Sequence, residues 1–297
     1  MITKKVEHIS KTPRFSLKLR GLVQMLKMRL TLLVALSGVF GYAMAADGMA
    51  SWVNLGWVFL GGFLVTGASN VLNQISEKPL DALMNRTSNR PLPTGVLNEL
   101  EAILYAIVLC VLGVGILGYF FNLPAALLGI IALLSYAFVY TPMKRISPLC
   151  VFIGAIPGSL PPLIGWVAFT GSLDTGGWIL FAFQFFWQFP HFWAIAWLLD
   201  EDYQKAGFKM LPTSSGKSRT SARLILTYTL CLVPLVYFAW NIGLVNGLGS
   251  ILLVVLGLAF AFPAWKLFQN LEATTAKRLM FASFLYLPLI QLVFIFA

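Results

Sequence analysis

The sequence predicts an all-α, polytopic membrane protein, and three observations carry that prediction. Apolar stretches recur along all 297 residues at about the length a helix needs to cross ~30 Å of hydrocarbon. Charged residues make up only 11% of the chain, and its mean hydropathy is +0.82. The 21 lysines and arginines collect in alternate loops.

Nine spans follow, near residues 29–46, 55–75, 99–118, 123–140, 148–169, 177–198, 222–241, 246–266 and 278–297. Before the first lies a basic arm. Ala43-Met44-Ala45 imitates a cleavage site, but the preceding polar region is too long for a signal peptide, so span one reads as an uncleaved helix. Spans two and three flank a polar loop at 76–98, and span four ends at the Tyr140-Thr141-Pro142 turn. Span five holds Pro157, Pro161 and Pro162 with Gly154, Gly158 and Gly165. That composition leaves two readings open: a backbone opened beside a cavity, or a kink packed against neighbours. Span six is crowded with aromatic side chains between Phe181 and Trp197, and a second polar loop separates it from span seven. Spans eight and nine complete the set.

Eight cations precede or open span one and three lie in the 76–98 loop. Two are Lys144 and Arg145, five run from Lys205 to Arg223, and the last three are Lys266, Lys277 and Arg278. The loops at 47–54, 119–122, 170–176 and 241–246 hold none. This places the N-terminus in the cytoplasm and the C-terminus in the periplasm of a bacterial inner membrane. The same bias and the anionic headgroups of the bilayer account for the net charge of +10, so no nucleic-acid partner is implied. Residues 1–28 form a basic cytoplasmic arm, and 29–297 a single membrane-embedded domain with its helices around a central cavity. Cys110, Cys150 and Cys231 fall in spans, without metal-ligand spacing, and read as small hydrophobes.

Ionisable groups at a membrane are costly, so the first polar loop stands out. Asn73, Glu77 and Asp81 share one helical face at i, i+4 and i+8, which puts oxygen ligands for a hard cation about one turn apart. Pro79 interrupts that face and predicts a local break before Asp81. The second loop carries Asp200, Glu201 and Asp202. Two acidic loops, four spans apart, suggest an architectural repeat in which spans one to four and five to eight enclose a cavity and span nine is peripheral. Mg²⁺ normally binds through a few carboxylates plus substrate phosphates. Facing acidic loops would therefore clamp a diphosphate, with Arg86, Arg90, Lys144 and Arg145 neutralising the remaining charge. Lys144 and Arg145 serve equally well as topology signals. A diphosphate beside an apolar cavity points to an isoprenoid donor whose C–O bond ionises, and aromatic walls would shelter the cation. His191, inside the aromatic span, reads as a metal or haem ligand, a proton acceptor, or a packing histidine.

The first motif, Asn73-Gln74-x-x-Glu77-x-x-x-Asp81, resembles the N-D-x-x-D-x-x-x-D signature of the UbiA superfamily of intramembrane prenyltransferases. Gln and Glu in place of the first two Asp are similar to its haem O synthase branch. So are Met84-x-Arg86-Thr87-x-x-Arg90-Pro91-Leu92-Pro93, the Tyr140 to Arg145 turn with the Gly154 to Trp166 string, and Trp187-Gln188-Phe189-Pro190-His191-Phe192-Trp193. The match continues through Asp202-Tyr203, Gly207 and Met210-Leu211-Pro212. The resemblance implies a nine-helix UbiA-like fold. It also implies transfer of farnesyl from farnesyl diphosphate to a vinyl group of haem B, with water added, giving haem O and diphosphate. It further implies Mg²⁺ as cofactor, held by Asn73, Glu77, Asp81 and Asp202 with Asp200 as a further ligand. Arg86, Lys144 and Arg145 would meet the diphosphate, and His191 would either hold the haem iron or accept a proton. Haem A synthase or terminal oxidase assembly partners would stand downstream. Competing readings are a related enzyme acting on an aromatic quinone precursor, a secondary transporter, and a haem-delivering assembly protein.

Overall fold

The computed structural model describes residues 14–296. The basic arm is therefore described only from Arg14 onward; its first thirteen residues and Ala297 lie outside the described residues. The chain begins with α1 (Arg14–Met25), α2 (Met28–Ala46), α3 (Trp52–Asp81) and α4 (Glu99–Phe120). Next comes α5 (Leu123–Leu134), continued through a π-helical turn at Ser135–Tyr140 into α6 (Thr141–Ile146). α7 (Cys150–Thr170), α8 (Thr175–Leu198) and the short α9 (Asp200–Lys205) follow. The last four are α10 (Arg219–Leu230), α11 (Leu232–Asn241), α12 (Gly247–Asn270) and α13 (Ala273–Phe296). Among the described residues there is no strand.

Eight of these stretches are long and apolar enough to cross a membrane, α5–α6 and α10–α11 each counting as one. They coincide with eight of the nine expected spans. The other expected span is α8, which has the length, but Gln184, Gln188, Pro190 and His191 lower its hydropathy. α8 is wedged between α7, α10 and α13, so those polar groups meet protein instead of lipid. Helix starts are set by side chains that take up the first free N–H groups. Ser51, Asn122, Asp174, Ser218 and Asn246 do this singly, and Asn98 with Glu101 forms a reciprocal capping box.

α7 is the central helix: 72% of its apolar stretch is buried inside the protein, against 44% or less for the other seven. It separates two cores, one built mainly from α2 to α5 and the other from α8 to α13. α2 crosses it so closely that a Cβ on Gly41 would stand 2.0 Å from the Pro162 carbonyl oxygen, and one on Gly165 1.8 Å from that of Gly38. Small residues let two backbones meet where no side chain fits between them. α7 is an unbroken helix through its three prolines, so its backbone does not open as one reading of span five expects. Pro162 has no N–H to give to the Gly158 carbonyl, and Gln184 Nε2 of α8 donates to it instead at 2.7 Å. Gln188 Nε2 likewise donates to Ser159 Oγ at 2.7 Å and to the Ala155 carbonyl at 3.2 Å.

The four-span repeat predicts a peripheral last helix, and here the structure differs. α13 lies along α8 and reaches α2, where Gln291 Nε2 donates to Ser37 Oγ at 2.6 Å; Ser37 donates onward to Gln184 Oε1 at 2.6 Å. Amide and hydroxyl groups in hydrocarbon must find one another, and that need draws α13 inward.

Candidate functional site

The site is built at one end of the bundle, on the last three turns of α3. α3 runs without a break through Pro79 to Asp81, so Asn73, Glu77 and Asp81 do share a face, all at least 96% buried. Between and beside them, Asn70 and Gln74 anchor the corner joining α1 to α2. Asn70 Nδ2 donates to the Leu26 carbonyl at 3.2 Å, and Gln74 Nε2 to that of Met25 at 2.7 Å. The corner holds Lys27 in the left-handed region, at φ 52°, a conformation non-glycine residues seldom adopt. From there its ammonium donates to Asn73 Oδ1 at 2.9 Å.

The π-helical turn brings in the opposite wall. Thr141 Oγ1 accepts from Asn73 Nδ2 at 3.1 Å, and Lys144 Nζ donates to Glu77 Oε1 at 2.8 Å. Lys144 also lies over the Tyr140 ring, 4.7 Å from its centroid. Asp81 is matched by Arg90, whose Nη1 donates to both carboxylate oxygens at 2.8 and 2.7 Å. This pair fastens the 82–98 loop back onto α3.

The second acidic loop meets the first directly. Asp202 accepts from the backbone N–H groups of Asn85 at 2.9 Å and Arg86 at 3.2 Å, and from Lys205 at 3.1 Å. Partial burial pushes its carboxyl pKa up, but those donors outweigh it and hold the pKa below the ordinary value. The stabilising contribution is thus complete above the usual carboxylate range and is lost as pH falls through the depressed value. Asp202→Asn, which trades an ionised acceptor for a weaker one, is expected to loosen the 82–98 loop. Limited proteolysis should cut that loop several-fold faster, with the helical content unchanged by circular dichroism. Arg86 lies over the Tyr203 ring at 5.6 Å. Asp200 accepts from Gln204 at 3.1 Å and lies 4.0 Å from Lys217, farther along the rim; Arg145 is exposed.

The cluster thus gathers Lys27, Arg90 and Lys144 around Glu77 and Asp81. Burial, together with the charges of Arg90 and Lys144, pulls the Lys27 ammonium pKa down to about 7, against the opposing pull of Glu77 and Asp81. Among the described residues no three His, Cys, Asp or Glu side chains gather closely enough to hold a metal ion by themselves. The donors are hard oxygens, Asn73, Glu77 and Asp81 on α3 and Asp202 on α9, a set whose chemistry suits a Mg²⁺ sharing its coordination with phosphate and water better than one caged by protein alone.

His191 lies deeper, buried between α8 and α13. Its ring stacks on Trp187 at 4.7 Å and meets the edge of Phe284 at 5.0 Å. Ser283 Oγ lies 2.6 Å from the Met280 carbonyl and 2.7 Å from His191 Nδ1; with the hydroxyl proton given to the carbonyl, Nδ1 is the donor of the second bond. Nε2 is thereby left with its lone pair. The aromatic residues of α8 divide between faces: Phe185, Phe189 and Trp193 form a second stripe with Tyr228, which lies 4.4 Å from Phe189. Sequence reasoning missed Lys27, Thr141, Gln184 and Ser283. Only Gln184 had a visible signal, a polar amide within an apolar stretch.

Fold and cluster together define a membrane-embedded helical protein with a buried cluster of paired charges at one end of its bundle. The UbiA prenyltransferase family matches residues 32–287, and the chain belongs to that family. It is 45% identical over 269 residues to a protoheme IX farnesyltransferase of Cytophaga hutchinsonii, covering 91% of this chain and 94% of the relative. Its fold is similar to that of a digeranylgeranylglyceryl phosphate synthase, with a TM-score of 0.77 at 22% identity over 94% of this chain and 97% of the other. A UbiA homologue from Archaeoglobus fulgidus bound to GPP and Mg²⁺ aligns with a TM-score of 0.70 at 17% identity, over 93% of this chain and all of that one.

Proposed function

We propose that the protein transfers a farnesyl group from farnesyl diphosphate to a vinyl group of haem B, with addition of water, giving haem O and releasing diphosphate. The convergence of Lys27, Asn73, Glu77 and Lys144 beneath the joined loops is the observation that carries the transferase reading. The farnesyltransferase relative supports the choice of donor and acceptor.

Glu77, Asp81, Asp202 and Asn73 would hold Mg²⁺, with Asp200 as an outer contributor. When bound, the ion supplies charge to the departing diphosphate. Lys27, Lys144, Arg86, Arg90 and Arg145 bind and orient the diphosphate oxygens, and displacement by diphosphate frees Lys144 from Glu77 and Arg90 from Asp81. As the allylic C–O bond breaks, both electrons leave with oxygen. The terminal vinyl carbon then bonds to the farnesyl carbon, which moves positive charge to the carbon beside the macrocycle. Water adds there and loses a proton, which the Nε2 lone pair of His191 accepts; the same nitrogen is the one that would otherwise meet haem iron. The apolar stripe of α8 excludes further water. Positive loops face the cytoplasm, so the enzyme is a bacterial inner-membrane protein with a cytoplasmic N-terminus and a periplasmic C-terminus.

The test is purified protein in vesicles with haem B, farnesyl diphosphate and Mg²⁺, followed by mass analysis of the porphyrin. Haem O is expected, and its formation should stop with EDTA and return with Mg²⁺. A hydroxybenzoate accepting farnesyl while haem B does not would transfer the assignment to quinone-precursor chemistry. His191→Ala should lower turnover by ~10²-fold, the usual loss of a positioned proton acceptor. Unchanged turnover together with an unchanged haem absorption spectrum removes both roles from His191.

A further inference from the structure

The concave side of the α1–α2 corner is a groove of about 740 Å³. Its walls are Leu19 and Val23 from α1 and Met28 and Leu30 from α2, each more than a third exposed. Arg20 and Arg29 stand over it, both exposed, and among the described residues neither has a hydrogen-bond or ion-pair partner. α1 rests on the 96–97 loop segment through Gly21, whose Cβ position lies 3.3 Å from Val96 and Leu97 side chains. α2 begins its crossing of the membrane at Met28. Apolar walls, with guanidiniums that have no partner among the described residues, beside the start of an apolar span are therefore what the corner offers.

We propose that this groove binds one anionic phospholipid of the surrounding leaflet. An acyl chain covers the four apolar side chains, which otherwise lie exposed beside cations, and Arg20 and Arg29 grip the phosphate. Charge complementarity selects this occupant. Residues 1–13 carry Lys4, Lys5 and Lys11 against a single carboxylate, Glu7, and so bring the wrong sign. A zwitterionic lipid lacks the net charge. Because Lys27 belongs to the same corner, a lipid seated there also braces the residue that reaches Asn73.

The full-length protein, freed of endogenous lipid, would be titrated with mixed phosphatidylglycerol and phosphatidylcholine and analysed by native mass spectrometry. One phosphatidylglycerol should persist on the wild type in preference to phosphatidylcholine. Arg20→Gln/Arg29→Gln should lower its occupancy at least about tenfold. Lys277→Gln/Arg278→Gln, an equal loss of charge away from the groove, should leave it intact. Val23→Trp, which fills the groove and keeps every charge, should also reduce binding. Equal losses in both double variants would mean diffuse surface attraction and overturn the proposal. Retention in Arg20→Gln/Arg29→Gln, or displacement of the lipid by millimolar inorganic phosphate, would overturn it as well.

Discussion

Glu77→Gln is expected to cut farnesyl transfer by ~10²–10³-fold or more, the loss seen when one preorganised electrostatic contact to a departing charge is removed. The carboxylate sits at the centre of the rim cluster, one helical turn from Asn73 and from Asp81, with Lys144 at 2.8 Å. Gln keeps the shape and an acceptor oxygen but supplies no charge to metal or to the ammonium. Stability suffers too, because Lys144 is left as a buried cation without its counter-charge. Removing one partner of such a pair costs ~3–5 kcal/mol, and the retained amide oxygen should keep this case near the lower end. The companion variant Glu77→Leu/Lys144→Met separates the two effects: it removes both charges, so the melting temperature should recover while turnover does not. Haem binding, followed by absorption titration, should survive in both. Turnover within about tenfold of wild type in a folded Glu77→Gln protein would remove Glu77 from the chemistry.

Gly165→Ala should be the most damaging glycine-to-alanine change among the glycines of α2 and α7. Its Cβ would lie 1.8 Å from the Gly38 carbonyl oxygen and 2.7 Å from the Tyr42 nitrogen. Both are backbone atoms of α2, so no side chain can swing aside, and α2 and α7 must separate along their whole contact. A loss of about 3 kcal/mol or more is expected, from overpacking and the shortened dispersion contacts. Gly115→Ala is the control, since nothing lies within 4 Å of its Cβ position in α4; it should be neutral or slightly stabilising. Thermal unfolding of the detergent-solubilised proteins by intrinsic fluorescence reads the difference directly. Turnover of Gly165→Ala should fall with the folded fraction, because α7 also carries the carbonyl groups that Gln184 and Gln188 hold in place.

Much of the site was legible because local spacing decides it. Asn73, Glu77 and Asp81 fall on one face of any helix that spans them, and α3 tolerates Pro79 since the only donor lost lies near its end. The meeting of the two acidic loops was legible as chemistry, whereas its form was not: Asp202 reaches backbone N–H groups of Asn85 and Arg86. Lys27 shows the limit most clearly. Along the sequence it is one of eight cations near the first span, and nothing distinguishes it from Arg20 or Arg29. It is singled out only by the corner that Asn70 and Gln74 fix more than forty residues later.

Hydropathy, cation placement and helical period depend on neighbours in sequence, and they alone determined an all-helical membrane protein with an acidic face on its second span. Partner choice depends on contacts between residues far apart in the chain. Only the folded bundle decided that Glu77 meets Lys144, that Arg90 turns back to Asp81, that Ser283 sets the tautomer of His191, and that Gln184 replaces the hydrogen bond Pro162 cannot make. Inside an apolar bundle an unpaired polar group is too costly to leave, so these pairings follow from which helices pack together.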